Sequence, residues 1–284
     1  MGKGMKRLRM RRLKRQRIVL HISLLITSII MVMPFIWVVF TSFKEKAEII
    51  SPTPTLLPQV WTLSNYIGLP EAAPFLRFFF NSFLISSVST LAIIIGCPMA
   101  GYIFAKYKFK GQTLLFFLIM ATILVPLQVY MIPLYLIIKS FGWVNTYQGM
   151  IFPLIIMSSG IFFLRQNILS IPDELIDASR IDGCSEFGIF WRVIFPLSFS
   201  ATAAIAIVYW VFTWSMVFIW YLVVANSESL FTMELGLMYF QRHFITDYGG
   251  IMAACVITFL PILVFFLFFR RRIIEGVSLT GMKY

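Results

Sequence analysis

Six stretches of the chain, 18–43, 78–105, 111–138, 140–164, 193–227 and 248–269, contain no Asp, Glu, Lys or Arg. Each exceeds the roughly 20 residues that carry an α-helix across a bilayer core. A chain with this pattern folds as an all-α polytopic membrane protein of six transmembrane helices, with spans expected at about 18–43, 78–106, 111–138, 147–165, 193–224 and 248–269. Composition agrees, since 60% of residues are hydrophobic and 13% charged, against about 25% charged in soluble domains. A seventh uncharged stretch, 49–70, holds Pro52, Pro54, Pro58 and Pro70 among Ser, Thr, Gln and Asn. Backbone so interrupted cannot satisfy its own polar groups in hydrocarbon, and 44–74 reads as an external loop whose SPTPTLLP run is extended and stiff.

The net charge of +12 is distributed unevenly. The basic tail 1–17, Lys106, Lys108, Lys110, Arg165, Arg180, Arg192, Arg270, Arg271, Arg272 and Lys283 fall on one side of the predicted spans, and Lys44, Lys46, Arg77, Lys139 and Arg242 on the other. The positive-inside rule then places both termini in the cytoplasm. The tail KGMKRLRMRRLKRQR has the composition of a nucleic-acid arm, but beside a first span it reads as topogenic and lipid-facing. That span is about twice the length of a signal-peptide core and ends in Trp37, Phe40 and Phe43 with no small-residue cleavage site, so it is retained. Cys97 and Cys255 lie within spans and Cys184 on the cytoplasmic side, so no disulfide framework is expected.

One cytoplasmic segment differs in kind. The stretch RQNILSIPDELIDASRIDGCSEFGIFWR, 165–192, holds Asp173, Glu174, Asp177, Asp182 and Glu186, while the only other carboxylate on that face is Glu275. Ser170 as cap, Pro172 in the first turn, Asp173 and Glu174 near the positive end of the dipole and Gly183 as terminator define a short helix. Leu175, Ala178, Ser179 and Asp182 share one face, and its small residues permit close approach of a partner. An interfacial helix lying on lipid has the same pattern.

With the residues that follow, DELIDASRIDGCSEFGIFWRVIFPLS resembles the EAA loop of permease subunits of ABC importers, whose pattern is roughly E-A-A-x-x-D-G-A, a Phe, then I-x-L-P. Asp177, Ala178 and Ser179 stand at the E-A-A places, Asp182, Gly183 and Cys184 at D-G-A, and Phe190, Ile194 and Pro196 match in spacing. PFIWVVFTSFKEKAEIISPTPTLLPQVWTLSNYIGL, FFFNSFLISS and VPLQVYMIPLYLIIKSFGWVNTYQGMIFP are similar to carbohydrate importers of the maltose type, specifically the shorter, six-span permease subunit. Asp177, Ser179 and Cys184 depart from the consensus, and the terminal GVSLTGMKY follows the family ending loosely.

The resemblance implies a type I ABC importer permease fold over 18–270, with tails 1–17 and 271–284, in the cytoplasmic membrane of a prokaryote. It implies a coupling loop at 166–192 that docks into a separate ATPase through Glu174, Asp177, Ala178, Ser179, Asp182, Gly183, Cys184, Phe190 and Pro196. Implied partners are a second homologous permease, two ATPase subunits and an extracytoplasmic solute-binding protein. The chain has no G-x-x-x-x-G-K-[ST] loop, so ATP and Mg belong to the partners and no cofactor is expected on this chain. No span holds Asp, Glu, Lys or Arg in its interior, which disfavours ion-coupled transport and a charged solute.

Asn81, Gln128, Tyr209, Trp210, Thr213, Trp214 and Ser215 are available to hydrogen-bond and stack a neutral mono- or oligosaccharide, although polar residues in spans also serve as glue between helices. The alternatives are a self-contained carrier or channel, an importer permease for a non-sugar solute such as glycerol phosphate, and a membrane scaffold. His21 and His243 are isolated, and no HExxH or GxSxG occurs, so no catalytic or metal site is expected.

Overall fold

The computed structural model describes the backbone of residues 2–215, 217–243 and 247–281, and the side chains of 16–215, 217, 219–241 and 247–270. The side chains of the basic tail before Gln16, of Arg242, His243, Arg271, Arg272 and Glu275, and of the terminal GVSLTGMKY with Lys283 lie outside the described residues. In chain order the principal helices are α1 (Gly2–Ser42), α2 (Phe75–Lys106), α3 (Gln112–Ala121), α4 (Leu127–Ser140), α5 (Tyr147–Ile151), α6 (Ser158–Leu169), α7 (Asp173–Ile181), α8 (Phe199–Ser215), α9 (Phe218–Val224), α10 (Met233–His243) and α11 (Tyr248–Gly281). Four stretches among the described residues are long and apolar enough to cross a membrane: Gln16–Ser42, Phe75–Lys106, Tyr147–Leu169 and Tyr248–Arg270. Two bent pairs bring the number to 6 if each is one span.

Two of the six expected spans are bent, each beside a proline. In 111–138, Pro126 lacks an amide hydrogen and its ring disfavours helical torsions at the residue before it. Val125 accordingly sits at φ −97°, ψ 111°, and the chain turns by 108° between Gln112–Leu124 and Leu127–Ser140. In 193–224, a π-helical segment, Phe190–Ile194, leads into the turn Phe195–Leu197 that contains Pro196. The chain bends there by 76° before α8. The Ser198 hydroxyl donates to the Ile194 carbonyl (2.8 Å), which the Ser198 amide also meets (2.9 Å), a back-bonding that accompanies bends in helices. Pro98 interrupts nothing: α2 runs through it, as the Gly96-Cys97-Pro98 run requires if neighbouring helices are to cover the backbone.

The chain divides into two compact units. The larger comprises 73–239 and 258–284. Its centre is α2, which packs against α6 and α8 with Ile85, Ile93, Cys97, Leu164 and Trp220 in the core. Lipid offers no hydrophobic drive between helices, so close approach of small residues does the work. At Gly101 a Cβ would lie 3.0 Å from the Arg165 amide nitrogen, and at Gly160 it would lie 3.0 Å from Cys97 Sγ.

The smaller unit comprises 1–72 and 240–257, and in it the Pro-rich loop is curled back rather than extended. Glu48 accepts from the Thr55 hydroxyl (2.5 Å) and from the Gln59 amide (3.1 Å), while Lys44 donates to the Thr55 carbonyl. Asn65 Nδ2 donates to the Ser42 and Lys44 carbonyls (both 2.9 Å). These bonds hold the Glu48 carboxyl below the usual range, the Thr55 hydroxyl contributing most.

Gly101→Leu should separate α2 from α6, a clash of backbone with side chain that costs roughly 1–3 kcal/mol. Gly96, where a Cβ meets nothing within 4 Å, is the control. Thermal unfolding in detergent should drop for Gly101→Leu and stay near wild type for Gly96→Leu; equal behaviour would contradict this packing.

Candidate functional site

The segment after α6 is built from its charges and one isoleucine. Pro172, at φ −58°, ψ 137°, precedes α7, and Asp173 and Glu174 stand in its first turn, where negative charge complements the unpaired amides. Ser170 does not cap α7, contrary to the sequence expectation. It closes α6 instead, its hydroxyl donating back to the Asn167 carbonyl (2.6 Å). At the other end the Gly183 amide donates to Arg180 O and the Cys184 amide to Ser179 O (both 3.0 Å). This Schellman pairing requires the left-handed φ of +81° that Gly183 adopts.

Ile176 holds α7 in place. It is 3% exposed and packs in a cluster with Tyr102, Ile168, Ile171, Ile189, Phe190 and Ile194. Burying an isoleucine is worth roughly 1.5–3 kcal/mol, more than an exposed ion pair supplies. The charged groups around it fix orientation. Lys106, at the end of α2, has a side chain 6% exposed and pairs with Asp173 at 2.6 Å, and its ammonium also donates to the Ile171 carbonyl (2.5 Å).

Arg180 reaches Glu186 (2.8 Å) and Asp177 (3.1 Å), and the Tyr107 hydroxyl donates to Glu186. Arg180, then Tyr107, lowers the Glu186 carboxyl, and the hydrogen bond from Lys106 lowers Asp173. Desolvation, and then the carboxylate it meets, raises the Tyr107 phenol. The aligned sequence signal missed Ile176, Lys106 and Tyr107, because none belongs to the loop pattern. A lysine closing a span opposite a segment of carboxylates is the cue that was present.

The outward face carries Leu175, Asp177, Ala178 and Asp182, all exposed, with Ser179 half-buried. Ser179 donates its hydroxyl within the helix, to Leu175 O (2.7 Å). Glu174 and Asp182 are exposed and form no ion pair among the described residues. Two residues expected on the docking surface are elsewhere. Phe190 is 3% exposed and forms part of the cluster under α7, and Cys184 packs against the same cluster from its rim. Pro196 is exposed, at the bend rather than on α7.

A cavity of about 840 Å³ lies in the larger unit, at the break between α3 and α4. Of the seven residues expected to line a solute pathway, Gln128 and Tyr209 line it; the other five do not. Asn81 is fully buried glue: its amide donates to Ser229 O and Phe231 O (3.0 and 2.9 Å) and accepts from the Tyr147 hydroxyl (2.6 Å). Trp214 donates to Thr258 O (3.2 Å), Thr213 to Tyr209 O (3.0 Å) and Ser215 to Val211 O (2.9 Å). Trp210 is buried and stacks on Phe265 at 4.4 Å. Hydrocarbon surroundings explain this: a span hydroxyl finds its partner in its own or the next helix. Even Tyr209 spends its hydroxyl on Leu154 O.

The geometry defines a helical membrane protein whose broken spans line a cavity and whose loop between spans presents a short, firmly seated helix. Residues 92–278 match the family of binding-protein-dependent transport system inner membrane components, and the chain belongs to that family, a multi-pass component of the inner membrane. It is 35% identical to the arabinooligosaccharides transport system permease protein AraQ of Halalkalibacterium halodurans, over 93% of this chain and 95% of that one. It is 32% identical to the protein of the same name from Bacillus subtilis, over 94% and 96%. In fold it is similar to a solved bacterial ABC transporter involved in the import of the acidic polysaccharide alginate, with TM-score 0.80 and 21% identity over 91% of this chain and 96% of that one.

Ile176→Ala should loosen α7 by roughly 2–5 kcal/mol, whereas Asp177→Ala should cost about 1 kcal/mol at most. Amide exchange over 174–181 separates them, and equal rates would refute the anchor. The lowered carboxyls of Asp173 and Glu186 stabilise the loop above their unfolded values, and that contribution disappears as pH falls through the folded ones. Protection of the loop should therefore persist from neutral pH down to about 4, near the ordinary carboxylate values, and decline only below it. A loss at mildly acidic pH would contradict the assignment.

Proposed function

We propose that the chain is the translocation subunit of an ATP-driven importer for a neutral oligosaccharide, working by alternating access. In this reading it pairs with a second, homologous permease, and the two are served by two ATPase subunits and an extracytoplasmic binding protein. The observation that carries it is α7, a helix seated from beneath by Ile176 and presenting small and acidic residues outward, the form of a part that fits a partner's groove.

Glu174, Asp177, Ala178, Ser179 and Asp182 supply the docking face, and Gly183 supplies the turn. Phe190 and Cys184 act from below, as support. Both termini lie in the cytoplasm in this reading, which the basic tail and the cluster at Arg270–Arg272 favour. ATP and Mg reside on the ATPase subunits, and this chain is non-catalytic. A neutral saccharide is favoured by the two relatives that bear an arabinooligosaccharide name and by a cavity lining with no charged side chain.

Co-purification in mild detergent should bring down an ATPase whose hydrolysis rises with binding protein loaded with an arabino-oligosaccharide. Gly183→Val, which cannot hold φ +81° without strain, should uncouple hydrolysis from uptake, while Gly183→Asn, better tolerated there, should retain coupling. Uptake by the purified chain alone would sink the proposal, and stimulation by glycerol phosphate but no saccharide would overturn the neutral-sugar assignment.

A further inference from the structure

The turn between α2 and α3, together with the end of α6, gathers cations that no carboxylate claims. Lys106 is paired with Asp173 (2.6 Å), and Lys108 acts on that carboxylate only through space. Lys108 and Lys110 are exposed, and neither they nor Arg165 forms an ion pair among the described residues. The Phe104 carbonyl accepts from both Arg165 Nε and Gln112 Nε2 (3.0 Å each). Gln112 opens α3, so this shared acceptor holds the guanidinium beside the turn that bears the two lysines.

Arg165 is oriented as well as placed. Its guanidinium carbon lies 4.4 Å from the centroid of the Phe116 ring, and the bond from Nε fixes the plane. The two terminal nitrogens have no partner among the described residues. A guanidinium held by one edge and one face presents a fork that matches two oxygens of a phosphate. Basic residues scattered at span ends attract an anionic surface without any such geometry; here the shared carbonyl and the ring supply it.

What the anion is attached to follows from α3. Directly beyond the turn Leu114, Leu115, Phe117 and Leu118 are exposed, Phe117 by 66%. Phe109, between the two lysines, is 40% exposed and packs its ring 6.2 Å from that of Phe104. A soluble anion would use the cations and leave this apolar column bare, and the carboxylates of a protein partner would do the same. A phospholipid uses both, its headgroup at the basic turn and its acyl chains along α3. Each interfacial cation contributes on the order of 1 kcal/mol toward an anionic headgroup.

We propose that Arg165, Lys108 and Lys110 form a binding site for the phosphate of an anionic phospholipid in the leaflet on the α7 side of the membrane, with its acyl chains lying along the exposed face of α3. Such a lipid ties α2, α3 and α6 together beside the Lys106–Asp173 contact that orients α7. The proposal does not depend on which solute the importer carries.

The test uses the full chain, with the subunits that accompany it, purified in mild detergent and delipidated. It is titrated with phosphatidylglycerol or phosphatidylcholine, at a salt concentration that screens the basic tails, and retained lipid is counted by native mass spectrometry. Phosphatidylglycerol should be retained at a several-fold lower concentration than phosphatidylcholine and should raise the midpoint of thermal unfolding. The exposed pair Lys108→Gln and Lys110→Gln, made together, should weaken retention by roughly tenfold or more, as the loss of two interfacial cations implies. Arg165→Lys, which keeps the charge and loses the fork, should weaken it several-fold. Unchanged retention in Arg165→Lys, or equal retention of the two lipids, leaves only a diffuse attraction between basic residues and an anionic surface and overturns the site. Displacement by millimolar inorganic phosphate makes the occupant a soluble anion, and lipid that binds only after the ATPase is stripped away makes the patch a protein interface; either result overturns the proposal. All of these outcomes leave the importer reading to its own test.

Discussion

Every feature of functional interest follows from one constraint: inside hydrocarbon a peptide group has no water to turn to. A straight helix answers the constraint completely, and α2 does so over Phe75–Lys106 even with Pro98 within it. Where the chain cannot continue its ladder, the freed groups must face protein or a cavity. The break at Pro126 is such a place, and the cavity is found there. The bend at Pro196 is the other, and there the Ser198 amide and hydroxyl both bond the Ile194 carbonyl.

The loop that bears α7 inverts the balance of forces. Its visible chemistry is charge, yet its exposed pairs are individually weak, and the apolar contact of Ile176 under α7 outweighs them. The Lys106–Asp173 contact is a special case, because the lysine side chain is nearly buried while the carboxylate is exposed. That ammonium is satisfied only with α7 in its present position, which makes the pair a register mark more than a source of stability. Apolar burial decides that the helix is seated, and the ion pairs decide how it is turned.

The spans were legible in the sequence because the bilayer punishes charge, so the gaps between charged residues mark them directly. The bends were not, since hydropathy records how apolar a stretch is and not the direction it takes; Pro126 and Pro196 were visible, but a membrane helix tolerates prolines such as Pro98 and Pro133 as well. Gly183 was legible because only a left-handed residue closes that Schellman turn. Ser170 misled because a serine before a helix resembles a cap, while at Leu169, the residue before it, another helix was ending. Asn81, Trp214 and Thr213 misled for a related reason: residue type shows that a polar group exists, and only packing shows whether a neighbour has already claimed it.

The two sites are joined along the chain in both directions: α6 runs from Ser158 and Ser159 at the cavity into the loop that bears α7, and the chain after α7 returns to the cavity through α8. Phe190 packs beneath α7 and opens the π-helical segment Phe190–Ile194, which passes through the Pro196 bend into α8, and α8 carries Tyr209 and Phe212 to the cavity. A π segment holds an extra residue per turn at a strained hydrogen-bond register, and such segments favour functional positions in helices. If a partner pushes on α7, the rigid cluster beneath it moves Phe190, and the nearest element able to change register without unfolding is this segment. Displacement would then reach the walls supplied by α6 and α8, both joined to the loop through one short connection. The cavity thus has walls tied to the segment that bears α7, which is the arrangement a site needs if docking at one end is to open or close it at the other.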